Sequence, residues 1–150
     1  MPGTEADTGA TKIPVSPRDP FKPELAIRVL AMPADTNAAG DIFGGWLMSQ
    51  VDIAGSIAAY DLAGRRVVTV AVNAFRFLKP VYVGDLVSCY SWVTEVGNSS
   101  IEVHIDVYIE RNRNADEVQK VATAILTYVA IDDQGRPRSV RSASAKPRSG

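Results

Sequence analysis

Residues 46–64, WLMSQVDIAGSIAAYDLAG, decide the fold. Trp46, Leu47, Val51, Ala54, Ile57, Ala58 and Leu62 recur at the spacing of one helix face, and Gly64 stands where a C-terminal cap belongs. The spacing predicts a helix of about 18 residues, about 27 Å long at 1.5 Å per residue. Gly45, Ala54, Gly55, Ser56, Ala58 and Ala59 crowd it with small side chains. Glycine lowers helix propensity by up to about 1 kcal/mol, yet small side chains let other backbone come close. Such a helix is suited to being wrapped.

The flanking pattern supplies the wrapping. Upstream, Leu25, Ile27 and Val29 alternate with Ala26, Arg28 and Leu30, the period of a strand. Downstream, Val67–Leu78, Asp85–Val96, Ser100–Glu110 and Val121–Ile131 read as four strands, separated by turn-forming or polar residues such as Pro80, Gly84 and Gly97-Asn98. The clearest alternation is in Ser100–Glu110, where Ile101, Val103, Ile105, Val107 and Ile109 share one face and Glu102, His104, Asp106, Tyr108 and Glu110 the other. Strands of 8–11 residues at about 3.3 Å each match the helix in length. Short connections favour antiparallel neighbours. The expected class is α+β: an antiparallel sheet of about five strands curled around one long central helix, a hotdog fold.

A chain of 150 residues suits one domain. Residues 1–20 and the basic, Ser-rich residues 136–150 lack hydrophobic periodicity and are expected to be flexible tails around a domain at 21–135. A net charge of −1 argues against a nucleic-acid partner. One cysteine, Cys89, and one histidine, His104, make neither a disulfide nor a zinc cluster. The N-terminal stretch has no apolar core of a secretory signal and no apolar run reaches membrane-spanning length, so a cytoplasmic protein is expected.

Asn37-Ala38-Ala39-Gly40-Asp41-Ile42-Phe43-Gly44-Gly45-Trp46 resembles the YciA-like branch of the hotdog acyl-CoA thioesterases. The likeness continues through Gln50-Val51-Asp52, Val67–Val72, Phe77–Val81, Val83-Gly84-Asp85, Gly97–Ser100 and Tyr128–Asp132, covering roughly residues 25–137. It implies hydrolysis of acyl-CoA to a free acid and CoA by a homodimer or a trimer of dimers. It implies no cofactor, CoA being part of substrate and product.

The chemistry expected of the motif centres on Asp41. A carboxylate just ahead of the first helical turn sits near unpaired amides and the positive end of the helix dipole. Ionised, it can act as general base on a water or attack the thioester carbonyl itself. Gly44 and Gly45 leave the helix start open to a carbonyl oxygen, an oxyanion-hole arrangement; the alternative is N-capping by Asp41 with glycines serving packing. Asn37 fits either orientation of the reacting groups or a local turn. Gln50 and Asp52 are polar positions on a largely apolar helix, facing the site, a subunit contact or solvent.

The resemblance also implies that Thr69 assists from the neighbouring subunit, the alternative being a satisfied strand hydroxyl, and that CoA meets Val70, Ala71, Asn73, Arg76, Lys79, Ser99 and Ser100, with solvated strand-edge charge the alternative for Arg76 and Lys79. Structural roles are expected for His104 and Cys89. Residues 37–46 contain no histidine, which separates the chain from hotdog dehydratases that rely on one. A non-catalytic acyl-CoA-binding module is the other alternative.

Overall fold

A computed structural model of the chain describes residues 17–140. In order these form β1 (Glu24–Leu30), α1 (Gly44–Ala63), β2 (Val67–Phe77), β3 (Leu86–Val96), β4 (Ser100–Glu110) and β5 (Val118–Ala130), with short 3-10 turns at Pro33–Asp35 and Arg111–Arg113. One sheet runs β1-β3-β4-β5-β2, every pairing antiparallel. The helix sits on one face of it, as the periodicity predicts, and has 20 residues. Gly64 closes it in the left-handed conformation at φ 66, its N–H donating to Tyr60 C=O at 2.8 Å.

The core lies between helix and sheet. Ile101, Val103, Ile105, Val107 and Ile109 of β4 are wholly or almost wholly buried there, each contributing about 1.5–3 kcal/mol of transfer free energy. Opposite them, Leu47, Val51, Ala54, Ala58, Ala59, Leu62 and Ala63 form the buried face of α1. The small residues allow close packing: the Ser91 hydroxyl donates to the Ala54 carbonyl at 2.8 Å inside the core. β5 begins at Val118, three residues before the expected start, because Val118, Gln119 and Lys120 pair with the end of β4.

The two ends of the sheet differ. β2 is an edge strand with two register shifts against β5, at Thr69/Ala71 and Val72/Ala74. It exposes Val70, Val72 and Phe77 at 54, 49 and 54%, and Ile53 and Tyr60 of the helix are equally bare. An edge of this kind invites a partner strand.

The packed domain reaches beyond the predicted limits of 21 and 135. Pro20 C=O accepts from Val93 N–H at 2.7 Å, and Arg18 forms a two-pronged pair with Asp61 at 2.7 and 2.9 Å. Pro137 bridges to Ile131, and Val140 is fully buried, its N–H donating to Asn98 C=O at 2.7 Å. Tail composition hid these anchors because single apolar or prolyl residues carry no period. The remaining tail residues, 1–16 and 141–150, lie outside the described residues.

Candidate active site

The loop before α1 is built around Asn37. Its side-chain Oδ1 accepts from Ala39 N–H at 2.9 Å and Asp41 N–H at 3.1 Å, while its backbone N–H donates to Asp41 C=O at 2.7 Å. These backbone donors define which end of the amide is oxygen, and they leave the NH₂ group as a donor for something else. Asp41 is half-buried and lines a cavity of about 390 Å³ with Asn37, Gly44, Phe77 and Lys79.

Asp41 does not cap the helix. The cap position belongs to Phe43, whose N–H donates to Asp35 C=O at 2.9 Å and which makes no side-chain cap bond. The first helical bond is Leu47 N–H to Phe43 C=O at 3.2 Å, so the amides of Gly44, Gly45 and Trp46 precede it without intrahelical partners. The two glycines are not equivalent. A Cβ on Gly44 would lie 3.2 Å from the Phe77 ring, whereas one on Gly45 would meet nothing within 4 Å. Packing therefore accounts for Gly44 and leaves Gly45 open.

A second polar cluster lies further along the helix. The Asp52 carboxylate Oδ1 accepts from Thr69 Oγ1 at 2.6 Å, and the Tyr128 hydroxyl shares its one proton between the Asp52 carbonyl at 2.8 Å and the same Oδ1 at 3.1 Å. No hydrogen bond reaches Oδ2 among the described residues. Burial, then the nearby Asp52 charge and hydrogen bond, push the Tyr128 phenol well above its ordinary range, so it remains a protonated donor. The sequence offers Thr69 as a site candidate, leaves Asp52 between the site, a subunit contact and solvent, and gives no reading of Tyr128. The signal existed: a tyrosine at an inward position of β5 must find a partner for its hydroxyl.

Within one chain the two clusters stand apart. Gly44 and Asp52 are eight residues apart on one helix, about 12 Å at 1.5 Å per residue. The expected CoA contacts divide similarly. Arg76 and Lys79 lie at the end of β2, where Phe77 pairs with Ala122; Ser99 and Ser100 lie at the opposite end, where Ser100 pairs with Val129. Val70 and Asn73 are the residues skipped at the two register shifts, flanking Ala71. Asn73 Oδ1 accepts from Thr127 Oγ1 at 2.6 Å.

His104 and Asp106 lie on the outer sheet face, away from α1. His104 stacks on Trp92 at 4.4 Å between ring centres. Its Nε2 is 2.9 Å from Asp106 Oδ1, which also accepts from Thr123 Oγ1 at 2.8 Å; Lys120 Nζ holds Oδ2 at 3.1 Å. Burial acts to raise the Asp106 carboxyl, but bonds from Thr123, His104 and Lys120 outweigh it and hold it below the ordinary range. Cys89 is fully buried and its thiol is pushed up to about 12 by burial, giving no ready nucleophile. Among the described residues no acidic, histidine and cysteine side chains gather into a metal-binding group, and no helix is long and apolar enough to cross a membrane.

A five-stranded antiparallel sheet on a single helix, with polar groups at the helix start and along its exposed edge, defines a hotdog domain. The family model described as the thioesterase superfamily matches residues 39–115. The acyl-CoA thioester hydrolase YciA of Escherichia coli is 48% identical over 119 residues, 78% of this chain and 90% of that protein. HI0827, described as a hexameric broad specificity acyl-coenzyme A thioesterase, was solved with one aspartate replaced by alanine; it is 47% identical with a TM-score of 0.76, over 79% of this chain and 87% of the other. The acyl-CoA hydrolase of Staphylococcus aureus, solved with butyryl coenzyme A and coenzyme A, is 33% identical with a TM-score of 0.72, over 83% and 74%. That enzyme was also solved as separate alanine variants of an asparagine, an aspartate and a threonine. The chain belongs to the thioesterase superfamily, in its YciA-like branch of acyl-CoA thioester hydrolases.

Proposed function

We propose that the chain hydrolyses acyl-CoA at a site shared by two subunits, with Asp52 of one chain as the general base. The observation that carries this is the 2.6 Å bond from Thr69 to Asp52. The asparagine and aspartate substituted in the S. aureus enzyme are 15 residues apart, and the aspartate and threonine 17. Asn37, Asp52 and Thr69 have the same spacings. Asp52 Oδ2 takes a proton from water as the water oxygen attacks the thioester carbon. The carbonyl oxygen, gaining charge, meets the Asn37 NH₂ and the Gly44 and Gly45 amides of the partner subunit. The C–S bond then breaks and CoA leaves as thiol, taking up the proton that Asp52 accepted from water, which restores the carboxylate.

The shared arrangement follows from the 12 Å between helix start and Asp52, too far for one carbonyl to touch both within a chain. Antiparallel pairing of two β2 edges would cover Val70, Val72 and Phe77 and bring the helix start of each chain towards Asp52 of the other. It would also bring Arg76 and Lys79 of one chain to the sheet end that carries Ser99 and Ser100 of its partner, giving CoA cations and hydroxyls on one path. The hexameric state of HI0827 supports a trimer of such dimers.

A second reading keeps Asp41 as the base or nucleophile, favoured by its place in the 390 Å³ cavity beside Asn37 and Lys79. Thiol release from acyl-CoA by Asp52→Asn and Asp41→Asn separates the two. The expected result is a loss of turnover of about 10²–10⁴ in Asp52→Asn and a smaller one in Asp41→Asn. The reverse order assigns the chemistry to Asp41. Steady turnover by the unaltered protein also separates an enzyme from a module that only binds acyl-CoA.

A further inference from the structure

The Asp52 side chain can rotate, and a base helps only while its reacting oxygen meets water. Thr69 holds Oδ1 from the β2 side. A second support comes from β5, where Tyr128 is the cross-strand partner of Thr69. Tyr128 is wholly buried, and its hydroxyl reaches both the main-chain carbonyl and the Oδ1 of Asp52. Ring volume alone does not call for a hydroxyl there, since phenylalanine fills the same space.

The helix gives up a side chain to admit this group. Gly55, three residues after Asp52, is buried in mid-helix. A Cβ there would collide with the Tyr128 hydroxyl and lie 3.0 Å from Cζ and 3.1 Å from Cε1 of its ring. Glycine is unfavourable in a helix interior, so a close approach is the reason for it here. Gly55 and Tyr128 thus form one device, a notch and the hydroxyl seated in it.

We infer that Tyr128, seated against Gly55, is a positioning residue for hydrolysis: it and Thr69 hold Oδ1 of Asp52 so that Oδ2 is the oxygen presented to water. This rests on Asp52 as the base. The Tyr128 phenol stays protonated, as described above, and so donates throughout the working pH range.

Steady-state hydrolysis of one acyl-CoA by the full chain and its Tyr128→Phe, Asp52→Asn and doubly substituted forms tests the inference. Tyr128→Phe is expected to lower kcat about tenfold or more, the range for a hydrogen bond to a charged group, with KM within about twofold and melting temperature little changed. In the Asp52→Asn background the same change should alter the residual turnover by less than about twofold, since Tyr128 acts through that carboxylate. Gly55→Ala, which displaces the hydroxyl but keeps the phenol, should match Tyr128→Phe. A Tyr128→Phe enzyme with wild-type kcat, or one that only melts earlier, overturns the inference while leaving Asp52 as base. Independent, multiplicative losses in the double variant also overturn it. Wild-type turnover by Asp52→Asn sinks the underlying assignment instead.

Discussion

Two carboxylates in this fold are each held by a threonine, and they end in opposite conditions. Asp106, on the outer sheet face, has both oxygens engaged by Thr123, His104 and Lys120. Asp52, beside the exposed β2 edge, has Oδ1 engaged twice, and among the described residues no bond to Oδ2. A carboxylate whose oxygens are all occupied stabilises a surface; one with an oxygen in reserve can take a proton. With Asp52 as the proposed base, the same residue type serves structure in one place and chemistry in the other through the count of its partners.

The contrast breaks most sharply at turnover. Asp52→Asn should cost about 10²–10⁴ in kcat, while Asp106→Asn should leave kcat per folded enzyme near wild type. Comparable losses in both, measured by thiol release, would remove the distinction. Sharing of the site is tested next. Co-folded Asn37→Ala and Asp52→Ala chains should recover about a quarter of wild-type activity, because about half of random dimers are mixed and each holds one intact site of two. No recovery in verified mixed dimers would place both residues in one-chain sites.

The saturated carboxylate has its own signature. Removing its charge in Asp106→Asn should destabilise the fold by about 1–3 kcal/mol in urea titration near neutral pH. Because the folded-state pKa of Asp106 is depressed, its contribution is complete above the ordinary value of about 3.9 and is lost as pH falls through the lower folded value. Melting temperature between pH 5 and 2 should therefore fall less steeply in Asp106→Asn than in wild type. The smallest effect belongs to Arg76→Ala and Lys79→Ala, which should raise KM severalfold at low salt with little change in kcat. Unchanged KM in both would take them off the CoA path.

Much of the fold was legible because burial imposes a period. The β4 alternation, the small residues of α1 and Gly64 each reflect a continuous geometric demand, and the structure meets each one. The site was less legible, since a site is made by groups distant in sequence. The motif around Asp41 points to the helix start, where the structure removes the capping alternative by giving the cap position to Phe43 and where Asn37 organises the loop. Sequence leaves Asp52 between the site, a subunit contact and solvent; folding brings Thr69, 17 positions away, and Tyr128, 76 away, onto it. No local pattern states such a meeting. Gly55 came nearest: a buried glycine in mid-helix marks a place where something must fit.

Val140 couples the end of the described chain to the opposite end of the sheet from Arg76 and Lys79. With its side chain buried and its amide tied to Asn98, it fastens residues 136–140 to the turn that presents Ser99 and Ser100. A pull on residues 136–140 is passed to that turn, whereas a pull on residues 18–20 is passed to Asp61 near the end of α1 and to Val93 of β3. The two ends of the described residues are mechanically unequal: one is tethered to the helix and β3, the other to the serine turn itself.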